Sequence, residues 1–228
     1  MYHFDLHEIV AALPYMFKVG MTFSLSLTAL AATMGLALGT LLAVCRMSPS
    51  RLLSVPAGLY VNGMRSVPLL LVIFWFYFLA PYIGAWLTGS STPVQVGAYE
   101  SAVLTFTLFE SAYFCEIMRA GIKSVARGQL NAGLALGLSY GQTMRAIVIP
   151  QALRNMTPAL LTRVITLFQD TSLVYVLSMT DFFGAASDIG ARDGRTVELY
   201  LFAAAVYFVI CFGASRCVKR FEFALQAR

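Results

Sequence analysis

Between Phe17 and Val44 the chain carries a single charge, Lys18. A helix needs about 20 mostly apolar residues to cross the hydrocarbon core of a bilayer, and few soluble folds accept a run this long. Four similar runs follow, so the expected spans are 17–44, 57–79, 98–120, 156–177 and 197–216. Small residues along the first (Ser24, Ser26, Thr28, Ala32, Gly35 and Gly39) suit close helix packing in lipid. Composition agrees: 12% of residues are charged and mean hydropathy is +0.74, against about 25% charged in a soluble domain. A net charge of +5 would indicate nucleic acid only if gathered on an exposed face. Here it falls in short clusters between apolar runs. The reading is an all-α integral membrane protein, one domain over 1–228, with lipid rather than nucleic acid around it.

Basic loops stay in the cytoplasm, and that rule orients the spans. Arg46 and Arg51 lie between spans one and two, and five cations between spans three and four: Arg119, Lys123, Arg127, Arg145 and Arg154. The tail adds Arg216, Lys219, Arg220 and Arg228, whereas the opposite side holds only Lys18, Arg192 and Arg195. The amino terminus is therefore expected outside and the carboxyl terminus inside. The first dozen residues lack a positive n-region and contain Asp5 and Glu8, which reads as an uncleaved anchor. His3 and His7 carry no visible chemistry. Cys45, Cys115, Cys211 and Cys217 show no metal-ligand spacing and read as small buried hydrophobes. The aromatic run from Phe74 to Phe78 suits a belt at the outer interface.

Ionisable groups near the bilayer centre cost several kcal/mol or more unless paired or facing a watery cavity. Arg65, Glu110, Glu116, Arg163 and Asp170 all fall within the expected spans. Glu116 and Arg119 are three residues apart, the spacing of a pair on one helix face. Arg163 precedes Asp170 by two turns, about 10 Å, too far to pair tightly but spaced to hold the two ends of a small zwitterion. Asp170 has two roles open to it: meeting an ammonium, or satisfying an arginine or a broken helix end. Arg163 either receives a carboxylate, which Arg binds bidentately, or pairs with Glu110. Arg65 either snorkels toward the headgroups or bonds a neighbouring helix, or else it lines a path.

Residues 124–150 are too polar to span and longer than a connection requires. They read as two short helices broken at Gly137, followed by Pro150 in the first turn of the next helix. Such a hairpin suits docking a partner or lying on the membrane. The stretch NAGLALGLSYGQTMRAIVIP resembles the EAA loop of ATP-binding-cassette importer permeases, with Asn131, Ala132 and Gly133 at the EAA positions, Gly137 at the glycine and Ile147, Ile149 and Pro150 at the end. Two positions depart from that pattern, Asn131 for the acid and Ile149 for the leucine.

GMTFSLSLT, RSVPLLLVIFWFY, AYFCEIMRAGIKSVARGQ, IPQALRNMTPALL and QDTSLVYVLSMTDFFGAA extend the resemblance to the polar amino acid branch over nearly the whole chain. Gln169 before DTSL, with ARDGRTVE, looks more like the glutamate/aspartate members, glutamine, histidine or arginine types being the alternative. Arg163 stands where the family usually has an amide.

The resemblance implies a type I importer permease core in the bacterial inner membrane and a second, homologous or identical permease beside it. It implies a periplasmic binding protein and a cytoplasmic ABC ATPase dimer taking up a hairpin built on Asn131, Ala132, Gly133, Gly137 and Leu138. No GxxxxGK[ST] phosphate loop occurs, so ATP and Mg belong to that partner and this chain needs no cofactor of its own. HExxH is absent and no clustered His/Asp set occurs, which leaves a membrane enzyme last. An autonomous channel or carrier would not need the hairpin.

Overall fold

The computed structural model describes residues 6–94 and 96–226; His3, Asp5 and Arg228 lie outside them. α1 (Leu6–Tyr15), a π turn (Met16–Met21) and α2 (Thr22–Met47) run into one another as a single rod. Pro14, inside α1, cannot donate to the carbonyl four residues back, and the wider π turn follows directly after it.

The run expected as one span over 57–79 is not one helix. α3 (Arg51–Arg65) stops, Ser66–Pro68 breaks the path, and α4 (Leu69–Phe74), a π turn (Trp75–Leu79) and α5 (Ala80–Thr88) continue. The proline ring disfavours helical backbone at the residue before it, so Pro68 ejects Val67 from the helix. The apolar rod here is Leu69–Thr88. Arg65 thereby becomes a helix-terminal residue rather than one inside a continuous span.

α6 (Ala98–Lys123) is the hub, packed against α2, α3, α4 and the later helix Ile149–Asp170. Its contact with α2 is close enough to exclude a side chain: a Cβ at Gly39 would stand 2.8 Å from the Ser111 carbonyl oxygen and the Phe114 Cβ. Between helices in lipid, such close packing is itself an attraction. Four described helical rods are long and apolar enough to cross a membrane on their own: His7–Met47, Leu69–Thr88, Tyr140–Leu177 and Thr196–Ala224. α6 is not among them, because it carries Glu100, Glu110, Glu116 and Arg119. A helix wrapped by its neighbours has no need of an apolar surface all round.

The chain then forms α7 (Arg127–Ala135), α8 (Tyr140–Thr143), a π turn (Met144–Val148), α9 (Ile149–Asp170), a 3-10 segment (Thr171–Leu177), α10 (Phe182–Asp193) and α11 (Thr196–Gln226). One apolar cluster joins α2, α4, α6 and α9 through Leu27, Val72, Phe106 and Leu167; a second joins the first π turn, α10 and α11 through Met16, Phe182 and Leu199. Asp181 starts α10, accepting from the backbone N–H groups of Phe183 (3.0 Å) and Gly184 (2.8 Å), as an N-cap should. It is fully buried, and among the described residues no cation pairs with it. Burial pushes its carboxyl up to about 6. All four cysteines are free; Cys115 and Cys211 are buried as expected, but Cys217 is exposed.

Candidate functional site

α6 and α9 each bring one charge to the middle of the bundle. Arg163 donates from Nε to Glu110 Oε2 (2.7 Å) and from Nη2 to Glu110 Oε1 (2.5 Å), the fork-to-fork geometry that guanidinium and carboxylate share. Glu110 is completely buried, so this pairing is what makes its charge tolerable. Tyr113, one turn beyond Glu110, lies against the guanidinium with its ring centroid 4.0 Å away, a cation–π contact. In this structure Arg163 is thus partnered by Glu110.

Asp170 closes α9. Its Oδ2 stands 3.5 Å from Arg163 Nη2, which corrects the spacing expected from the helix alone. Two turns separate the backbones, but side chains leaning toward each other close most of that gap. One guanidinium thus serves two carboxylates.

Beside them opens a cavity of about 430 Å³, bounded by Arg65, the Ser66–Pro68 break with Leu69 after it, Phe109, Tyr113, Arg163, Thr166 and Asp170. Three of the four candidate pathway residues, Arg65, Arg163 and Asp170, share it. Glu110 does not line it and stands behind Arg163. The break at Pro68 matters here, because it ends α3 where Arg65 reaches the cavity; the Arg65 guanidinium is 5.6 Å from the Tyr113 centroid. Arg65 bonds a neighbouring helix, one of the roles expected of it, with Nη1 3.6 Å from Glu116 Oε2. Even so, its side chain is the most exposed of the four paired arginines along α6, at 38%. A second cavity of about 370 Å³, between α1 and α10, holds Glu8, Asp188, Arg192 and Asp193. There Arg192 is already bonded to Asp193.

Glu116 gathers three guanidiniums. Arg119 donates to both of its oxygens (2.7 and 3.1 Å), as the i,i+3 spacing predicts. Arg46 bonds Glu116 Oε1 and also reaches Asn62 Oδ1 (3.1 Å). Arg65 completes the set. The sequence does not single out Arg46 or Tyr113. Tyr113 has a local signal, its place one turn after Glu110; Arg46, seventy residues from its partner, has none.

The hairpin of residues 124–150 is α7, a turn, α8 and a π turn. Gly133 is buried against Thr143, and a side chain there would overlap Thr143 and come within 3.1 Å of Ile147 Cδ1. Gly137 ends α7 at φ +83, the left-handed region that favours glycine. The turn is closed by Gly137 N–H to Leu134 O (3.0 Å) and Leu138 N–H to Gly133 O (3.1 Å). Ser139 and Gln142 then form a capping box at α8. Asn131 and Ala132 lie exposed on α7, Leu138 is half-buried, and Leu136 at the tip is 81% exposed. The hairpin's backbone is fixed locally and its apolar tip is left uncovered by this chain.

Residues 35–226 match the family of binding-protein-dependent transport system inner membrane components. The glutamate/aspartate import permease protein GltK of Escherichia coli O6:H1 is 49% identical over 219 residues, covering 96% of this chain and 97% of that one. The probable amino-acid ABC transporter permease protein YckA of Bacillus subtilis is 35% identical, covering 92% of this chain and 88% of its own length. Among solved structures, an amino acid ABC transporter crystallised with histidines superposes with a TM-score of 0.88 at 30% identity, over 98% of this chain and 100% of the other.

Proposed function

The chain belongs to the family of binding-protein-dependent transport system inner membrane components and is a permease subunit for amino acids, and we propose that it carries glutamate and aspartate inward. One observation carries this reading. The 430 Å³ cavity, a shallow cleft with a wide mouth, presents a carboxylate at Asp170 and a loosely held guanidinium at Arg65. Every amino acid brings an ammonium and a carboxylate, and these two groups are their complements. An acidic side chain adds a second carboxylate, which suits a cavity edged by Arg65 and Arg163. The 49% identity to a glutamate/aspartate import permease supports the same substrate class.

In this reading α6 is the fifth span, its polar face covered by its neighbours, and the termini lie outside and inside as the loop charges require. Two such permeases enclose the path, a periplasmic binding protein delivers substrate, and a cytoplasmic ATPase dimer supplies ATP and Mg. That dimer grips the hairpin at Asn131, Ala132 and the exposed leucines, while Gly133, Gly137 and Leu138 hold the hairpin's shape. ATP-driven closure then shifts the spans between two states, each ligand acting by its preference for one of them.

Competition for uptake tests the substrate. Glutamate and aspartate should displace labelled substrate in vesicles containing the whole importer; displacement by arginine or glutamine in their place overturns the assignment. Replacing Gly137 by valine forces a branched side chain into a left-handed backbone and should lower transport while the ATPase alone keeps its basal rate. Unchanged transport would remove the hairpin from the mechanism.

A further inference from the structure

At the foot of the hairpin, α6, α7 and the π turn after α8 enclose a groove of about 360 Å³. Lys123 and Arg127 stand at it, and Leu130, Tyr140, Met144 and Val148 give it an apolar wall. Among the described residues no carboxylate lines it and none pairs with either cation. Arg119, one turn before Lys123, is by contrast bonded to Glu116.

The depth of the groove follows from α6. Its 26 residues measure about 39 Å, against roughly 30 Å of hydrocarbon. With α6 entering at Ala98, Lys123 stands in the headgroup layer. A pair of uncompensated cations above an apolar wall, at that depth, is complementary to an amphiphile with an anionic head.

We propose that this groove seats an anionic phospholipid of the cytoplasmic leaflet, its phosphate between Lys123 and Arg127 and its first acyl carbons along Leu130, Tyr140, Met144 and Val148. The proposal rests on the orientation that places the hairpin inside. The ATPase is the other occupant to weigh. The apolar hairpin tip at Leu134 and Leu136 does not line the groove, so the tip stays available for that partner while the foot holds lipid. Each basic residue near an anionic leaflet contributes about fivefold in affinity, so the pair gives roughly a 30-fold preference for anionic over zwitterionic lipid.

The test uses the complete importer, reconstituted in vesicles of phosphatidylethanolamine with or without phosphatidylglycerol, then extracted gently for native mass spectrometry. One phosphatidylglycerol per permease chain is expected. The Lys123→Gln/Arg127→Gln variant should lose it, with affinity down roughly 30-fold, and Lys123→Arg/Arg127→Lys should keep it. Retention by the glutamine variant, equal binding of phosphatidylcholine, or displacement by inorganic phosphate at equal concentration would each overturn the assignment. So would loss of the ATPase subunit with the lipid count unchanged, which would make the groove a protein interface. Orientation is checked separately, with Tyr140→Cys in a Cys217→Ser background and an impermeant maleimide applied to right-side-out vesicles. Labelling there sinks the orientation whatever the lipid count shows.

Discussion

Glu110 and Glu116 lie six residues apart on α6, about 9 Å along its axis, and each is held by arginine, yet the two assemblies are opposites. At Glu110 one guanidinium serves two carboxylates; at Glu116 one carboxylate serves three guanidiniums. Glu110 is wholly buried and Glu116 keeps 16% of its side-chain surface. In the drier place the charges at the centre balance, one carboxylate fully bidentate with one guanidinium, and the extra acid, Asp170, is displaced to the cavity edge. In the wetter place surplus guanidinium charge is tolerated, because solvent reaches it. The lesson is that unbalanced charge of either sign sits where water comes, and here the acidic surplus at Asp170 and the loosest cation, Arg65, border the same cavity.

The largest test of that contrast is Arg163→Gln. It strands Glu110 without a partner, and the expected loss is about 3–5 kcal/mol, read as thermal unfolding of the purified permease in detergent. Adding Glu110→Gln should recover most of it, since two amides need no counter-charge. A stable single variant would break the contrast.

Asp181 sharpens it as a buried carboxylate with backbone partners but no cation among the described residues. Its folded-state value, about 6, exceeds that of a free aspartate, so the folded chain holds the proton more tightly than the unfolded one. Its contribution to stability is therefore fully present below about pH 4 and is lost as pH rises to about 6, by roughly 2–3 kcal/mol in all. Asp181→Asn keeps an oxygen for the Gly184 N–H and should flatten that part of a melting-temperature profile. A wild-type profile already flat from about pH 4 to 6 would mean that the carboxyl is solvated.

Glu116→Gln should cost less, about 1–2 kcal/mol, and the cost should shrink with added salt. Smallest is Arg119→Lys, which keeps the charge and loses the fork: under about 1 kcal/mol, with uptake unchanged.

The parts of this site legible in the sequence are those with a local cause. Charges inside apolar runs point to Glu110, Arg163 and Asp170 directly, since lipid penalises them wherever the chain folds. The Glu116–Arg119 pair follows from helical spacing, and the Gly137 turn from the glycine itself. What the sequence hides depends on tertiary contact or side-chain reach. Arg46 joins Glu116 from a distant helix, and no pattern near either residue announces it. Counting backbone rise separates Arg163 from Asp170, because it ignores how far two side chains lean. The break before Leu69 is different: its signal, Pro68, stands in the sequence, masked by the apolar residues around it. The pairing of Arg163 with Glu110 shows only in the fold, because pairing and receiving a substrate carboxylate use the same chemistry.

The rod formed by α9 has a mechanical consequence. Arg163, gripped by Glu110, pins it to α6 at a point about 21 Å from its hairpin end and about 10 Å from Asp170. Nearer the hairpin a second grip holds α9 to α6, where Asn155 Nδ2 donates to Ser124 Oγ (2.7 Å) and Met156 packs closely on Gly121. Between the two grips stands Pro158, which removes a helical hydrogen bond, so a push at the hairpin would bend α9 there and tilt the segment carrying Arg163 and Asp170 against Arg65.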